Sequence, residues 1–114
     1  MTEKEKANDA TITRRVIVRY RAKPARAAEN RRLVEQVFAA LERSQPEGLR
    51  YATFVLDDGV SFVHVASVET DDGSNPLDAV EEFRSFGKEI ADRCDEPPVV
   101  QVATLVGSYG LFDR

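Results

Sequence analysis

Apolar and polar positions alternate or recur along most of this chain, and their spacing predicts the elements. Arg15-Val16-Ile17-Val18-Arg19-Tyr20-Arg21 is β-branched and aromatic, as a strand is, with Val16, Val18 and Tyr20 on one face and Ile17, Arg19 and Arg21 on the other. Lys23-Pro24 ends it. Leu33, Val34, Val37, Phe38 and Leu41 then form one helical stripe, with Arg31, Arg32, Glu35 and Glu42 turned mostly to water. That helix runs to about Ser44 and stops at Gln45-Pro46-Glu47-Gly48. Leu49 to Leu56 and Val60 to Val68 read as two strands around Asp57-Asp58-Gly59, a hairpin signal because both residue types tolerate positive φ. Asn75 is the expected N-cap of a second helix, with Pro76 at its first position. Leu77, Val80, Phe83, Phe86 or Gly87, Ile90 and Cys94 carry its stripe to about Arg93, and Pro97-Pro98 closes the region. Val99 to Val106 is the fourth strand, and Gly107 to Phe112 can continue it.

The order is β-α-β-β-α-β. It predicts an α+β, ferredoxin-like fold: a four-stranded antiparallel sheet with two helices on one face. Residues 13–114 read as a single domain behind a loose, charged tail at 1–12. The strands are apolar on both faces: Tyr51, Thr53 and Val55 against Ala52, Phe54 and Leu56, and Phe62, His64, Ala66 and Val68 against Val63, Val65 and Ser67. Two helices cover one face. No connection is long enough to cover the other, so a homodimer packed through the sheet is expected.

Composition narrows the functional classes. At 42% apolar and 32% charged residues, the 114-residue chain is ordinary for a globular domain. A lone cysteine, Cys94, excludes an intrachain disulfide and a cysteine-based zinc site, and a lone histidine, His64, excludes a His-His relay. No glycine-rich phosphate loop, metal-ligand spacing or Ser-His-Asp arrangement is found, so neither a cofactor nor a metal is expected. The net charge of −4 argues against a nucleic-acid partner. The absence of a long apolar run or a signal-like start argues against membrane and secretion, leaving a cytoplasmic location as the expectation. Charge is uneven: residues 13–43 hold nine basic and three acidic groups, and residues 57–96 twelve acidic and three basic. The simplest reading is that the two halves neighbour each other in the fold or across the dimer.

The element order, the doubly apolar sheet and the ending Val106-Gly107-Ser108-Tyr109 together resemble the antibiotic biosynthesis monooxygenase-like family. Val16-Ile17-Val18-Arg19-Tyr20-Arg21-Ala22-Lys23-Pro24 looks like that family's first strand and its exit, Phe62-Val63-His64-Val65-Ala66-Ser67-Val68-Glu69 like its third strand, and Phe83-Arg84-Ser85-Phe86 like part of its second helix. The resemblance implies a dimeric α/β barrel with a pocket between sheet and helices in each protomer. It also implies oxidation of a small aromatic or quinol-type molecule by dioxygen, without metal or flavin. Other members cleave haem or are silent. This chain has no tryptophan, so the Asn-Trp-His set expected of a haem-cleaving member is missing and haem cleavage is set aside; Pro76 to Glu82 also lacks the histidine frequent there in the family, and both absences favour a silent member. A cofactor-independent monooxygenase is the first expectation; a catalytically silent ligand-binding or structural homodimer of the same fold is the second.

His64 is the side chain that titrates nearest neutrality, which makes it the candidate general base for a phenolic substrate, against the alternative of a satisfied structural histidine. Tyr20 and Tyr51 offer phenols to a substrate oxygen, and Phe62 and Phe83 offer apolar walls; these four are the candidate substrate-binding residues. Arg19 and Arg21 are expected at the barrel rim or against acids across the dimer such as Asp57 and Asp58, Cys94 as a small buried hydrophobe, and Glu81-Glu82 as a solvated helix face.

Overall fold

Residues 11–112 are described by the structure, a computed structural model. The first strand, β1 (Ile12–Ala22), starts a little before its alternating core because Ile12 and Thr13 still pair with Thr70 and Glu69. The expectation of a loose tail otherwise concerns residues 1–10, which lie outside the described residues. A 3-10 turn at Pro24–Arg26 leads into helix α1 (Ala27–Ser44), which buries Asn30, Val34, Val37 and Ala40. Strands β2 (Leu49–Val55) and β3 (Ser61–Thr70) follow, then a 3-10 turn (Pro76–Ala79), the short helices α2 (Glu81–Lys88) and α3 (Ile90–Arg93), and β4 (Cys94–Ala103). The sheet order is β2-β3-β1-β4 with every pair antiparallel, as the ferredoxin-like reading requires.

Register sets the faces. Tyr20 lies opposite Phe62, Val18 opposite His64, and Thr53 opposite His64 on the other side. Tyr20, Ala22, Phe62, Val34, Val37, Leu77, Phe86 and Cys94 form the core between this face and the helices. The opposite face is not uniformly apolar. Phe54, Leu56 and Val99 are about half exposed there, but at the other end Glu69 receives Arg50 at 3.4 Å, Arg15 at 3.7 Å and the Ser67 hydroxyl at 2.7 Å. The C-terminal segment meets this end at Phe112, whose ring centroid lies 5.2 Å from the Arg15 guanidinium.

Three local expectations are corrected. The second helix is broken: Val80 is extended (φ −93°, ψ 115°), and Glu89 (φ −125°, ψ 25°) separates α2 from α3. At that second break the Phe86 carbonyl accepts from Arg93 Nη2 at 2.8 Å, so a buried side chain supplies a bond near the helix end. The fourth strand begins at Cys94, ahead of Pro97-Pro98, rather than at Val99. Prolines are tolerated there because β4 is an edge strand and its ladder shifts register between Arg19 and Ala22. It also ends at Ala103, and no strand is assigned from 104 to 112. The hairpin uses positive φ only at Gly59 (75°), closing through Gly59 N–H to Leu56 O at 2.9 Å, while the Asp58 carboxylate accepts from the Val60 and Ser61 amides.

The charge asymmetry resolves within the fold. Arg43 pairs with Glu82 at 3.1 Å and Arg21 reaches Glu96 at 4.0 Å, so the basic strand–helix unit lies beside acidic groups of the second half. Within the protomer Arg21 reaches Glu96, and, behind the Ser61 hydrogen bond, its charge also helps to hold the Asp58 carboxyl below the usual range.

Candidate functional site

Between the helix-side face and the second helical region lies a cavity of about 500 Å³, open to solvent on one side. Val16, Val18, Leu77 and Phe83 supply much of its apolar wall, and Tyr20, Tyr51 and His64 form its polar corner. Parity explains the convergence. Tyr20 on β1, Tyr51 on β2 and His64 on β3 all occupy positions facing the helices, and the antiparallel register brings them within bonding distance.

His64 is 5% exposed and both ring nitrogens are engaged. Nε2 lies 2.8 Å from the Tyr20 hydroxyl; Nδ1 lies 2.7 Å from the Tyr51 hydroxyl and 3.0 Å from Thr53 Oγ1. Burial lowers the imidazole pKa to about 4, so the ring is neutral at pH 7. Burial likewise raises Tyr51 to about 12, although a Thr53 hydrogen bond opposes the shift, and it raises Tyr20 further, opposed first by the Asn30 hydrogen bond. Burial makes the ring a weaker base than a free imidazole, and both of its nitrogens are taken up by protein hydroxyls.

Two residues unremarked in the sequence complete the corner. Asn30 Nδ2 donates to the Tyr20 hydroxyl at 2.9 Å, and Arg93 Nε donates to Asn30 Oδ1 at 3.0 Å. Arg93 is 2% exposed, makes no ion pair with a carboxylate among the described residues, and lies 5.0 Å from the Phe86 ring centroid. A signal for both existed: Asn30 lies three and four residues before Leu33 and Val34, and Arg93 three after Ile90, so each is a polar residue on an apolar stripe.

Of the sequence candidates, Tyr20, Tyr51, His64 and Phe83 border the cavity. Phe62 does not; it stacks behind Tyr20 with ring centroids 5.5 Å apart and 2% exposure, so its role is to support that phenol. Cys94 is buried, and burial raises its thiol pKa, so it is no ready nucleophile. Among the described residues no three His, Cys, Asp or Glu side chains converge as a metal site. No described helix is long and apolar enough to cross a membrane.

No protein-family model matches the chain, and no curated protein matches it significantly. Solved structures do. Rv0793 from Mycobacterium tuberculosis superposes with a TM-score of 0.68 at 16% identity, over 85% of this chain and 98% of that one. A protein solved as an antibiotic biosynthesis monooxygenase gives 0.67 at 20% identity, over 84% of this chain and 100% of the other. SnoaB, a cofactor-independent oxygenase from Streptomyces nogalater solved as a single-substitution variant, gives 0.62 at 16% identity, over 86% and 97%. On these likenesses, which extend over most of its length, the chain has the fold of the antibiotic biosynthesis monooxygenase-like proteins.

Proposed function

We propose that the cavity binds a small aromatic molecule of phenol or quinol type and that the protein oxidises it with dioxygen, using neither metal nor flavin. The carrying observation is the cavity: about 500 Å³, apolar-walled, with one polar corner of two phenols around a neutral imidazole. That volume is in the usual range for small-molecule sites. The corner supplies hydrogen bonds to an oxygen, which is what a phenol or its conjugate base needs and what an aliphatic ligand does not.

For a substrate with an activated methylene, the chemistry balances without a cofactor. Loss of a proton gives a delocalised carbanion. Addition of dioxygen and reprotonation give a hydroperoxide, and loss of water leaves a carbonyl, with one oxygen atom in the product and one in water. The substrate supplies all the electrons; the protein supplies enclosure, orientation and stabilisation of the oxygen anion. The test is oxygen uptake with a panel of anthrones and hydroquinones. Turnover by the wild type and a rate roughly 100-fold lower for Tyr51→Phe is the expected result, the usual order of effect of a hydrogen bond to developing charge.

A second reading is favoured by one observation: both His64 nitrogens are already bonded, leaving no evident base. The protein would then bind the same ligand class without changing it, and the panel would bind with no oxygen consumed. In either case we propose a homodimer, with Phe54, Leu56, Val63 and Val65 of the open sheet face covered by a second copy.

A further inference from the structure

We propose that the buried chain Arg93–Asn30–Tyr20–His64–Tyr51 is a one-way hydrogen-bond relay that makes the Tyr51 hydroxyl a committed donor to an acceptor oxygen of the cavity's ligand, a phenolate or enolate in preference to a neutral hydroxyl. The inference rests on the cavity being a ligand site, as argued above, and makes Arg93 and Asn30 positioning residues for it.

The direction follows from what each group can and cannot do. A guanidinium only donates, so the Asn30 atom facing Arg93 Nε at 3.0 Å must be the amide oxygen. That fixes the flip of the amide: Nδ2 faces Tyr20 and donates to its oxygen at 2.9 Å. The Tyr20 hydroxyl has one proton and one remaining partner, His64 Nε2 at 2.8 Å, so it donates there. Nε2 is therefore unprotonated, and in a neutral ring the proton sits on Nδ1. Nδ1–H donates to the Tyr51 hydroxyl at 2.7 Å, shared with Thr53 Oγ1 at 3.0 Å. The Tyr51 oxygen thus accepts from Nδ1–H and from the Thr53 hydroxyl, whose donation opposes the burial-driven rise in its pKa, and its own proton is left to point elsewhere; Tyr51 borders the cavity. The opposite arrangement would leave the buried Tyr20 proton without an acceptor, a penalty native interiors avoid. One residue that cannot accept orients every bond behind it.

The chain's single histidine makes the test direct, because every imidazole nitrogen signal belongs to His64. Long-range proton–nitrogen NMR of the wild type is expected to show the Nδ1–H tautomer at pH 7. Asn30→Asp keeps the size and gives Arg93 a carboxylate to hold, so the fold is retained, but the new group can only accept. Tyr20 must then donate to it and accept from His64, and the tautomer is expected to switch to Nε2–H. The second arm titrates wild type, Asn30→Asp and Tyr51→Phe with alizarin, a dihydroxyanthraquinone whose visible absorption reports ionisation of its phenol. The wild type is expected to bind it as the phenolate, and both variants about tenfold more weakly, the loss of one charge-assisted hydrogen bond. An Nε2–H wild type, a tautomer unmoved by Asn30→Asp, or equal phenolate binding by Tyr51→Phe overturns the relay. A relay that passes both arms in a protein that consumes no oxygen upholds this inference and removes the oxidation proposed above.

Discussion

At the residue scale, a buried neutral imidazole ties stability to acidity. His64 has its pKa lowered by burial from 6.5 to about 4, so the unfolded chain binds the proton more readily than the folded one. The stabilising effect of this depressed group is complete above pH 6.5 and is lost as the pH falls through 4. Across that window the free energy of unfolding is expected to fall by about 1.4 kcal/mol per pH unit from this site. Urea unfolding at pH 7, 6 and 5 measures the slope, and the His64 ring proton shifts should stay flat over the same range; a ring that titrates near 6.5 removes the effect. The three central residues of this corner were legible in the sequence because they share strand parity with apolar neighbours. Asn30 and Arg93 were obscured by charged neighbours, Glu29 and Arg31 for the one and Asp92 for the other. Their burial is decided by which helix face meets the sheet, a tertiary fact. Phe62 shows the converse: its parity was read correctly, but whether a ring borders the cavity or backs another ring depends on the layer above it.

At the scale of elements, the passage from α1 to β2 depends on Gly48. Its φ is +81°, and a Cβ there would sit 2.6 Å from the Glu69 carbonyl oxygen and 2.8 Å from Thr70 Cγ2. The Gly48 carbonyl meanwhile accepts from Glu69 N–H at 2.8 Å. Backbone on one side and a methyl on the other leave little room to yield. Gly48→Ala is therefore expected to destabilise by about 2 kcal/mol or more, read from the urea midpoint, whereas Gly87→Ala, with open space around its Cβ, should not. The helix-ending role of this stretch was plain from Gln45-Pro46-Glu47-Gly48; the close approach to β3 was not, because spacing says nothing of how near two backbones come. The second helix erred for a related reason. A stripe from Leu77 to Cys94 predicts a single rod, and periodicity does not register a backbone reset at Val80 or a side chain that captures a carbonyl at Phe86.

At the scale of the molecule, the sheet has a covered face and an open one, and the open face is divided. Phe54 at 56% exposure, with Leu56 and Val99 near half, marks the apolar end, while Arg15, Arg50 and Glu69 mark the charged end. The alternation of the strands displayed the first and underrated the second. If a second copy covers the apolar end, light scattering at micromolar concentration should give twice the protomer mass, and Phe54→Glu should halve it by placing a charge in the contact. A wild type at protomer mass would refute the pairing. One stretch of the rim is closed to a rival mode of association. Pro97 and Pro98 interrupt β4, one of the two border strands, and lack the amide protons on which a neighbouring chain would dock. Along that stretch the sheet resists lengthening into a ribbon of many molecules, so growth there is halted by covalent structure.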